Sequence, residues 1–231
     1  MKKRHAVFGL LFGFSVIAAV FFTSFEAAMY ADFGVYEREY EKYDVLSELD
    51  MTMEDAMYVT HEMMDYLRGD RDTLSVVTTV EGKEQDFFNE QDRFHMGEVR
   101  ELFLGGLNIR MGACLAAALC IMMLYASGAD MKKVIPFCYR ICLGVTAAAL
   151  ALFGAACMAD FNAVFVEFHH LFFDNDLWLF DPAEDYMIRM LPEGLFSDMV
   201  VRIGVLFAGA LLALLICSLI PKMTAGKKKL A

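Results

Sequence analysis

Hydrophobic and polar positions fall in long blocks along this chain. Four nearly unbroken apolar runs occupy residues 6–25, 111–127, 134–159 and 199–220. Each is close to the ~20 residues that a helix needs to cross ~30 Å of hydrocarbon. Polar, acidic sequence fills 26–110 and 160–198. The pattern predicts an all-α membrane protein over residues 1–231, with four transmembrane helices and an extracytoplasmic cap made of helices plus a small β-hairpin. The first run exceeds the ~7–15 apolar residues of a signal peptide, and no cleavage site follows it, so it is expected to stay as an anchor. Its Gly9-x-x-x-Gly13 permits close helix approach, here to a sibling helix of the same chain.

The polar segments have their own periodicity. Tyr36, Tyr40 and Tyr43 repeat at helical spacing. Thr52 followed by Asp55 reads as a helix start. Met53, Met57, Thr60, Met64 and Leu67 then line one face, and Gly69 is the stop. The run 74–80 is rich in β-branched residues and precedes Glu81-Gly82-Lys83, the signature of a short hairpin. From Asn89 the period is helical again, with His95, Glu98 and Leu102 near one another on one face. Asp181-Pro182-Ala-Glu184 predicts a second short helix that runs to about Leu191, where Pro192 stops it.

Charge sets the expected orientation. Lys2, Lys3, Arg4, Lys132, Lys133, Lys222 and Lys227 to Lys229 flank the runs on one side, which predicts that both termini and the middle turn are cytoplasmic. Of the 31 acidic residues, 30 lie in the two polar segments, which then face outward. The net charge of -11 leaves no basic surface for nucleic acid. Arg110 is expected to reach the outer headgroups. The six cysteines all fall inside apolar runs and read as small packing residues. Cys138 and Cys142 share a helix face, but two thiols do not make a zinc site.

Candidate chemistry is sparse. His61-Glu62-x-x-Asp65 lacks the second histidine of a zincin helix. There is no nucleophile elbow, phosphate loop or dinucleotide turn. What remains is His95 in the first polar segment and His169, with His170 beside it, in the second. Histidine titrates near neutral pH, and tryptophan favours the membrane–water interface; Trp178 is the only tryptophan and stands nine residues after His169. Two histidines can do acid–base work on an ester, or bind a metal with Glu98 and Glu167. Spacing allows both.

Phe94-His95-Met96-x-Glu98-Val99 and Phe168-His169-x-x-Phe172-Phe173-x-Asn175-Asp176-x-Trp178 resemble the lipoprotein intramolecular transacylases, integral membrane proteins of mostly Gram-positive bacteria. The likeness continues through Asp181-Pro182, Asp185 and Met190-x-Pro192-Glu193-Gly194-x-Phe196, and includes Tyr66-Leu-x-Gly69. The family more often has aspartate where this chain has Glu98, and its pattern assigns no role to His170. The resemblance implies transfer of the sn-2 acyl chain of a diacylglyceryl-cysteine lipoprotein to the α-amine of the same cysteine. It implies His95 and His169 as catalytic residues. Glu98, His170, Asn175, Asp176, Trp178 and Arg110 would support them or bind substrate, with Asn175 a candidate for oxyanion support. The expected partners are diacylated lipoproteins and membrane lipid, with no cofactor and no metal. Two other functions fit the bare sequence: a non-catalytic four-span binding or signalling protein, and a metal-dependent lipid hydrolase.

Overall fold

The computed structural model describes the backbone of residues 1–227 and the side chains of residues 1–219. Lys222 and Lys227 to Lys229, which helped to set the expected orientation, lie outside the described side chains. The elements in chain order are α1 (Lys3–Tyr30), α2 (Gly34–Lys42), α3 (Val45–Leu49), α4 (Met53–Arg68), β1 (Val77–Val80), β2 (Lys83–Asp86), α5 (Glu90–Ala126), α6 (Met131–Ala159), α7 (Phe161–Phe172), α8 (Tyr186–Met190) and α9 (Glu193–Lys227). Helices α1, α5, α6 and α9 are long and apolar enough to cross a membrane. The chain forms two compact units. One comprises Met1–Glu26, Leu107–Ala155 and Arg202–Ala231, and the other Ala27–Gly106 and Ala156–Val201.

The apolar unit is built from four long helices. Gly9 and Gly13 face α6 so closely that a Cβ would lie 2.6 Å from Cys138 Sγ at the first and 2.7 Å from Cys142 Sγ at the second. The pair of glycines thus serves packing within the chain. Tyr139, Cys142, Ile17, Phe207 and Leu211 form a small core. The Tyr139 hydroxyl donates to the Leu211 carbonyl at 2.9 Å, which satisfies a buried polar atom where no water is at hand. Cys120, Cys138 and Cys142 are buried, as packing residues should be, whereas Cys114 and Cys217 are exposed. Large apolar side chains stay bare, among them Leu115 at 61%, Leu152 at 76% and Val205 at 67% exposure. Only hydrocarbon can cover such a surface at low cost.

The Arg110 guanidinium is ion-paired with Glu26 on α1.

The polar unit has a conventional core. Tyr36, Tyr40, Leu49, Val59, Met64, Val80, Phe87 and Phe88 are buried together. Thr60 donates to the Ala56 carbonyl at 2.8 Å and receives the Tyr40 hydroxyl at 2.6 Å, so neither polar group is stranded. Thr52 caps α4 by accepting the Asp55 amide, and Gly69 ends it in the left-handed region at φ 88°. The buried face of α4 is offset from the one expected. Ala56, Val59, Thr60, Met63, Met64, Tyr66 and Leu67 are buried, while Met53 and Met57 are half-buried at its edge. Strands β1 and β2 pair antiparallel around Glu81-Gly82, which bring Val80 opposite Lys83. Glu81 and Gly82 both have positive φ, the geometry of a tight two-residue hairpin.

One helix differs from expectation. Residues 181–184 form a turn, with Asp181 Oδ1 accepting the Ala183 amide at 2.9 Å, and α8 begins only at Tyr186. The reason is Asp185, whose carboxylate folds back to accept the Asp181 amide at 2.8 Å and closes the turn. Helix α7 follows α6 almost directly. Asp160 breaks the run and caps α7 by accepting the Ala163 amide at 2.9 Å.

Candidate active site

The first three turns of α5 carry Glu90, Asp92, Arg93, Glu98, Arg100 and Glu101, so its apolar stretch starts beyond them. His95 lies in this polar part, and His169 lies in the last turn of α7. The fold brings these two rings, 74 positions apart in sequence, to a centroid separation of 5.8 Å with 26° between planes. Both are nearly buried, at 5% and 7% exposure. Aromatic rings enclose them. Phe173 and Phe180 stand edge-on to His95 at 4.9 and 5.5 Å. Phe165 and Trp178 lie 4.2 and 4.7 Å from His169.

The tautomer of His169 follows from its partner. Nδ1 is 2.7 Å from the Phe165 carbonyl, which can only accept, so Nδ1 carries the hydrogen and Nε2 has a free lone pair. On α5, the His95 Nδ1 faces Glu98 Oε2 at 3.9 Å, outside hydrogen-bond reach. Both of these atoms are buried without a partner. Catalytic contacts of this kind are often long before substrate binds.

Burial, the largest cause, pushes His95 down to about 4, and the neighbouring His169 acts in the same direction. Burial also holds His169 below the usual range, partly offset by the bond to the Phe165 carbonyl. Both imidazoles are therefore neutral at pH 7, able to accept a proton.

The turn after α7 carries most of the remaining groups. Asn175 donates to Glu98 Oε1 at 2.8 Å, and its own Oδ1 receives the Leu177 amide at 2.9 Å. Trp178 is 8% exposed, and its indole nitrogen has no hydrogen-bond partner. Gln91 anchors this turn to α5 by donating to the carbonyls of Leu177 and Leu179 at 3.0 and 3.1 Å. Asn89 and Asp92 cap α5 reciprocally at 2.9 Å, and the Asn89 amide also reaches Asp185. The result is a rigid seam between the start of α5 and the stretch from Phe173 to Asp185.

Not every expected residue joins the site. His170 is exposed on α7, meets the edge of Trp178 at 5.3 Å between centroids and adds to the downward push on His169. Asp176 is exposed, and its carbonyl closes a turn with the Leu179 amide at 3.1 Å. Arg110 belongs to the apolar unit. Glu167 is exposed, and among the described residues no three His, Cys, Asp or Glu side chains converge as metal ligands would.

A family model for the lipoprotein intramolecular transacylase Lit matches residues 10–196. That span is most of the chain and includes every residue of the histidine site. The chain belongs to the lipoprotein intramolecular transacylase family. It is thus a multi-pass membrane enzyme, an intramolecular transacylase that acts on lipoproteins. The fold agrees. The structure of Lit from Bacillus cereus matches with a TM-score of 0.76 at 21% identity, covering 98% of each chain. A variant of that protein with one histidine replaced by alanine matches at a TM-score of 0.73 and 20% identity, covering 98% of this chain and 96% of the other. No curated protein matches the chain.

In this transacylase chain the motif around His169 includes Phe173, and Asn89 followed by Asp92 is a reciprocal cap spacing. Gln91 and Phe180 carry no local signal, because their partners are set by the turn after α7.

Proposed function

We propose that this chain moves the sn-2 acyl chain of a diacylglyceryl-cysteine lipoprotein to the α-amine of the same cysteine, leaving an N-acylated lyso-form product. The observation that carries the reading is a neutral His169 whose Nε2 is bare, held against a second buried neutral histidine by an aromatic wall. The α-amine ionises near ~7.7–8.0, so a base is needed as it attacks the ester carbonyl. His169 Nε2 takes that proton. The N–C bond forms, and the carbonyl becomes an oxyanion. The C–O bond to glycerol then breaks, and the same proton passes to the departing oxygen. One proton thus moves from nitrogen to oxygen with no external acid. Donor and acceptor belong to one molecule, so orientation supplies much of the rate. His95, steadied by Glu98 when that contact closes, stabilises the charge that develops on His169 and the tetrahedral centre.

Asn175 spends one amide hydrogen on Glu98 and its oxygen on the backbone, so it acts by positioning Glu98. The Trp178 indole N–H is the uncommitted donor beside the pair, and a donor kept unpaired before reaction is suited to a charge that appears only in the transition state. The lysine pattern supports a site on the outer face, with both termini cytoplasmic.

Mass spectrometry of a lipoprotein N-terminus tests the reading. His95→Ala and His169→Ala should each remove the N-acyl lyso product at unchanged protein level, because acid–base groups contribute ~10²–10⁴-fold. The double variant should be little worse than either single. His170→Ala should keep most product. Wild-type product in either single variant would remove that histidine from the mechanism.

A further inference from the structure

Of the groups that react in the proposed substrate, the α-amine is the one that carries charge. It ionises near ~7.7–8.0, so at pH 7 it reaches the site mostly as an ammonium. Two neutral imidazoles are poor partners for a cation. Glu98, beside them on α5, is a better one. Its Oε1 accepts the Asn175 amide at 2.8 Å, which fixes the plane of the carboxylate. Its Oε2 faces His95 but stops 3.9 Å from Nδ1. That oxygen is buried and makes no hydrogen bond.

Among the described residues, His95 is the ionisable group paired with Glu98, and burial keeps it neutral. The two arginines nearest in the helix are committed elsewhere. Arg93 pairs with Asp86 at 2.7 Å, and Arg100 with Asp72 and the face of Tyr66. A covered carboxylate oxygen without a donor is costly to keep. A donor that arrives with the substrate removes that cost. The ester and the acyl chains have no hydrogen to give, whereas an ammonium has three.

We infer that Glu98 Oε2 is the subsite for the α-amine and receives one of its N–H groups in the gap beside His95. The inference rests on the proposed reaction and names the group that the site holds first. The ammonium binds and gives one proton to solvent. The neutral amine keeps an N–H on Oε2 and attacks the ester carbonyl. As the N–C bond forms from the nitrogen lone pair, the carbonyl oxygen takes the π electrons and the nitrogen becomes cationic. Glu98 accepts a hydrogen bond from that nitrogen but no proton; the proton goes to His169 Nε2. The carboxylate thus faces positive charge where it develops. The amide that results is neutral, so the product is held less tightly. Substrate choice follows as well. A glycerophospholipid offers the same ester but a phosphate in place of the amine, and a carboxylate repels it.

The test uses the full-length purified protein and two unreactive probes. One is a dialkylglyceryl-cysteine peptide with ether links in place of both esters. The other is the same peptide with hydrogen in place of the α-amine. Displacement of a fluorescent dialkyl lipopeptide reads the affinity of each. At pH 7 the wild type should bind the amine form at least ~10-fold more tightly, the worth of one hydrogen bond to a charged group. Glu98→Gln should cut that preference to ~2-fold or less, and Glu98→Asp, which keeps the charge, should retain more of it. An unchanged preference in Glu98→Gln overturns the inference even where turnover falls, because a residue that only steadies His95 would lower turnover and leave the preference alone. Should Glu98→Gln fail to fold, the wild type still decides. Raising the pH to about 9.5 neutralises the amine and should shrink the preference. A preference that persists undiminished there, or that is absent at pH 7, also overturns it. The probes do not react, so the subsite is judged even if no ester lipopeptide yields product, a result that would sink the proposed reaction by itself.

Discussion

Two buried ionisable residues near the start of α5 respond to pH in opposite directions. His95 is pushed by burial from an ordinary 6.5 to about 4. Between those values the unfolded chain binds a proton that the folded chain refuses, so this contribution is complete above 6.5 and is lost as pH falls toward 4. Asp92 is raised from 3.8 to about 6, first by burial, with Asp185 adding to the effect. Its contribution is present below 3.8 and is lost as pH rises to 6. Across the shared window the two slopes oppose, and His169, also held low by burial, adds to that of His95, so Asp92 should offset only part of the stability lost with acid. Asp92→Asn removes that offset, and thermal unfolding of that variant should then show stability dropping more steeply with acid. An identical pH profile for the variant and the wild type would refute the opposition. Trp178→Phe is the second test at this scale. It keeps a ring against His169 and deletes the N–H. Loss of one oxyanion donor costs about 10²–10³-fold in kcat, with little change in KM. A variant with full kcat, assayed on a lipopeptide, would return Trp178 to a packing role.

At the scale of elements, what matters is which helices approach closely and which are held apart. Gly9 and Gly13 seat α1 against the Cys138 and Cys142 side of α6. Gly13→Leu should lower the thermal midpoint in detergent, since overpacking costs about 1–3 kcal/mol. Gly13→Ala combined with Cys142→Ala should recover most of the loss that Gly13→Ala alone causes, because the crowding atom is Cys142 Sγ. Absence of that recovery would mean the two residues are not in contact. Helix α7 shows how a short element serves chemistry. Its cap at Asp160 fixes the register, and the register turns His169 inward while His170 stays exposed. The turn from Phe173 to Asp185 has little regular structure, so Gln91, Asn89 and Asp185 hold it to α5 with side-chain bonds.

For the whole molecule, the separation of charge is the organising fact. Nearly all acidic residues lie in the two polar segments, and lysines flank the apolar runs on the other side. The positive-inside tendency supports the proposed outward-facing histidine site. Cysteine substitutions at Glu90 and Asp174 should react with an impermeant maleimide on intact cells. Labelling of either site only after permeabilisation would invert the topology and put the site on the wrong side for mature lipoproteins.

Block patterning of hydrophobicity determined the four long helices, because crossing a bilayer demands ~20 apolar residues in a row whatever their neighbours. Local chemistry determined the Thr52 cap, the Gly69 stop and the Glu81-Gly82 turn, since each is settled by atoms within a few residues. The motifs around His95 and Trp178 pointed to the family. Tertiary structure alone decided the rest. Asp181 looked like a helix cap, but Asp185 folds back onto its amide and delays α8 to Tyr186. Arg110 finds its ion-pair partner, Glu26, on another helix. Met53 and Met57 of the expected stripe pack against the core half-buried, and the faces that close over α4 cover Met63 as well. Asn175 and Glu98 are 77 positions apart, and their hydrogen bond exists only because α5 and the turn after α7 meet. A sequence fixes what each residue can satisfy locally; which partner satisfies a distant polar group depends on which elements the fold brings alongside it.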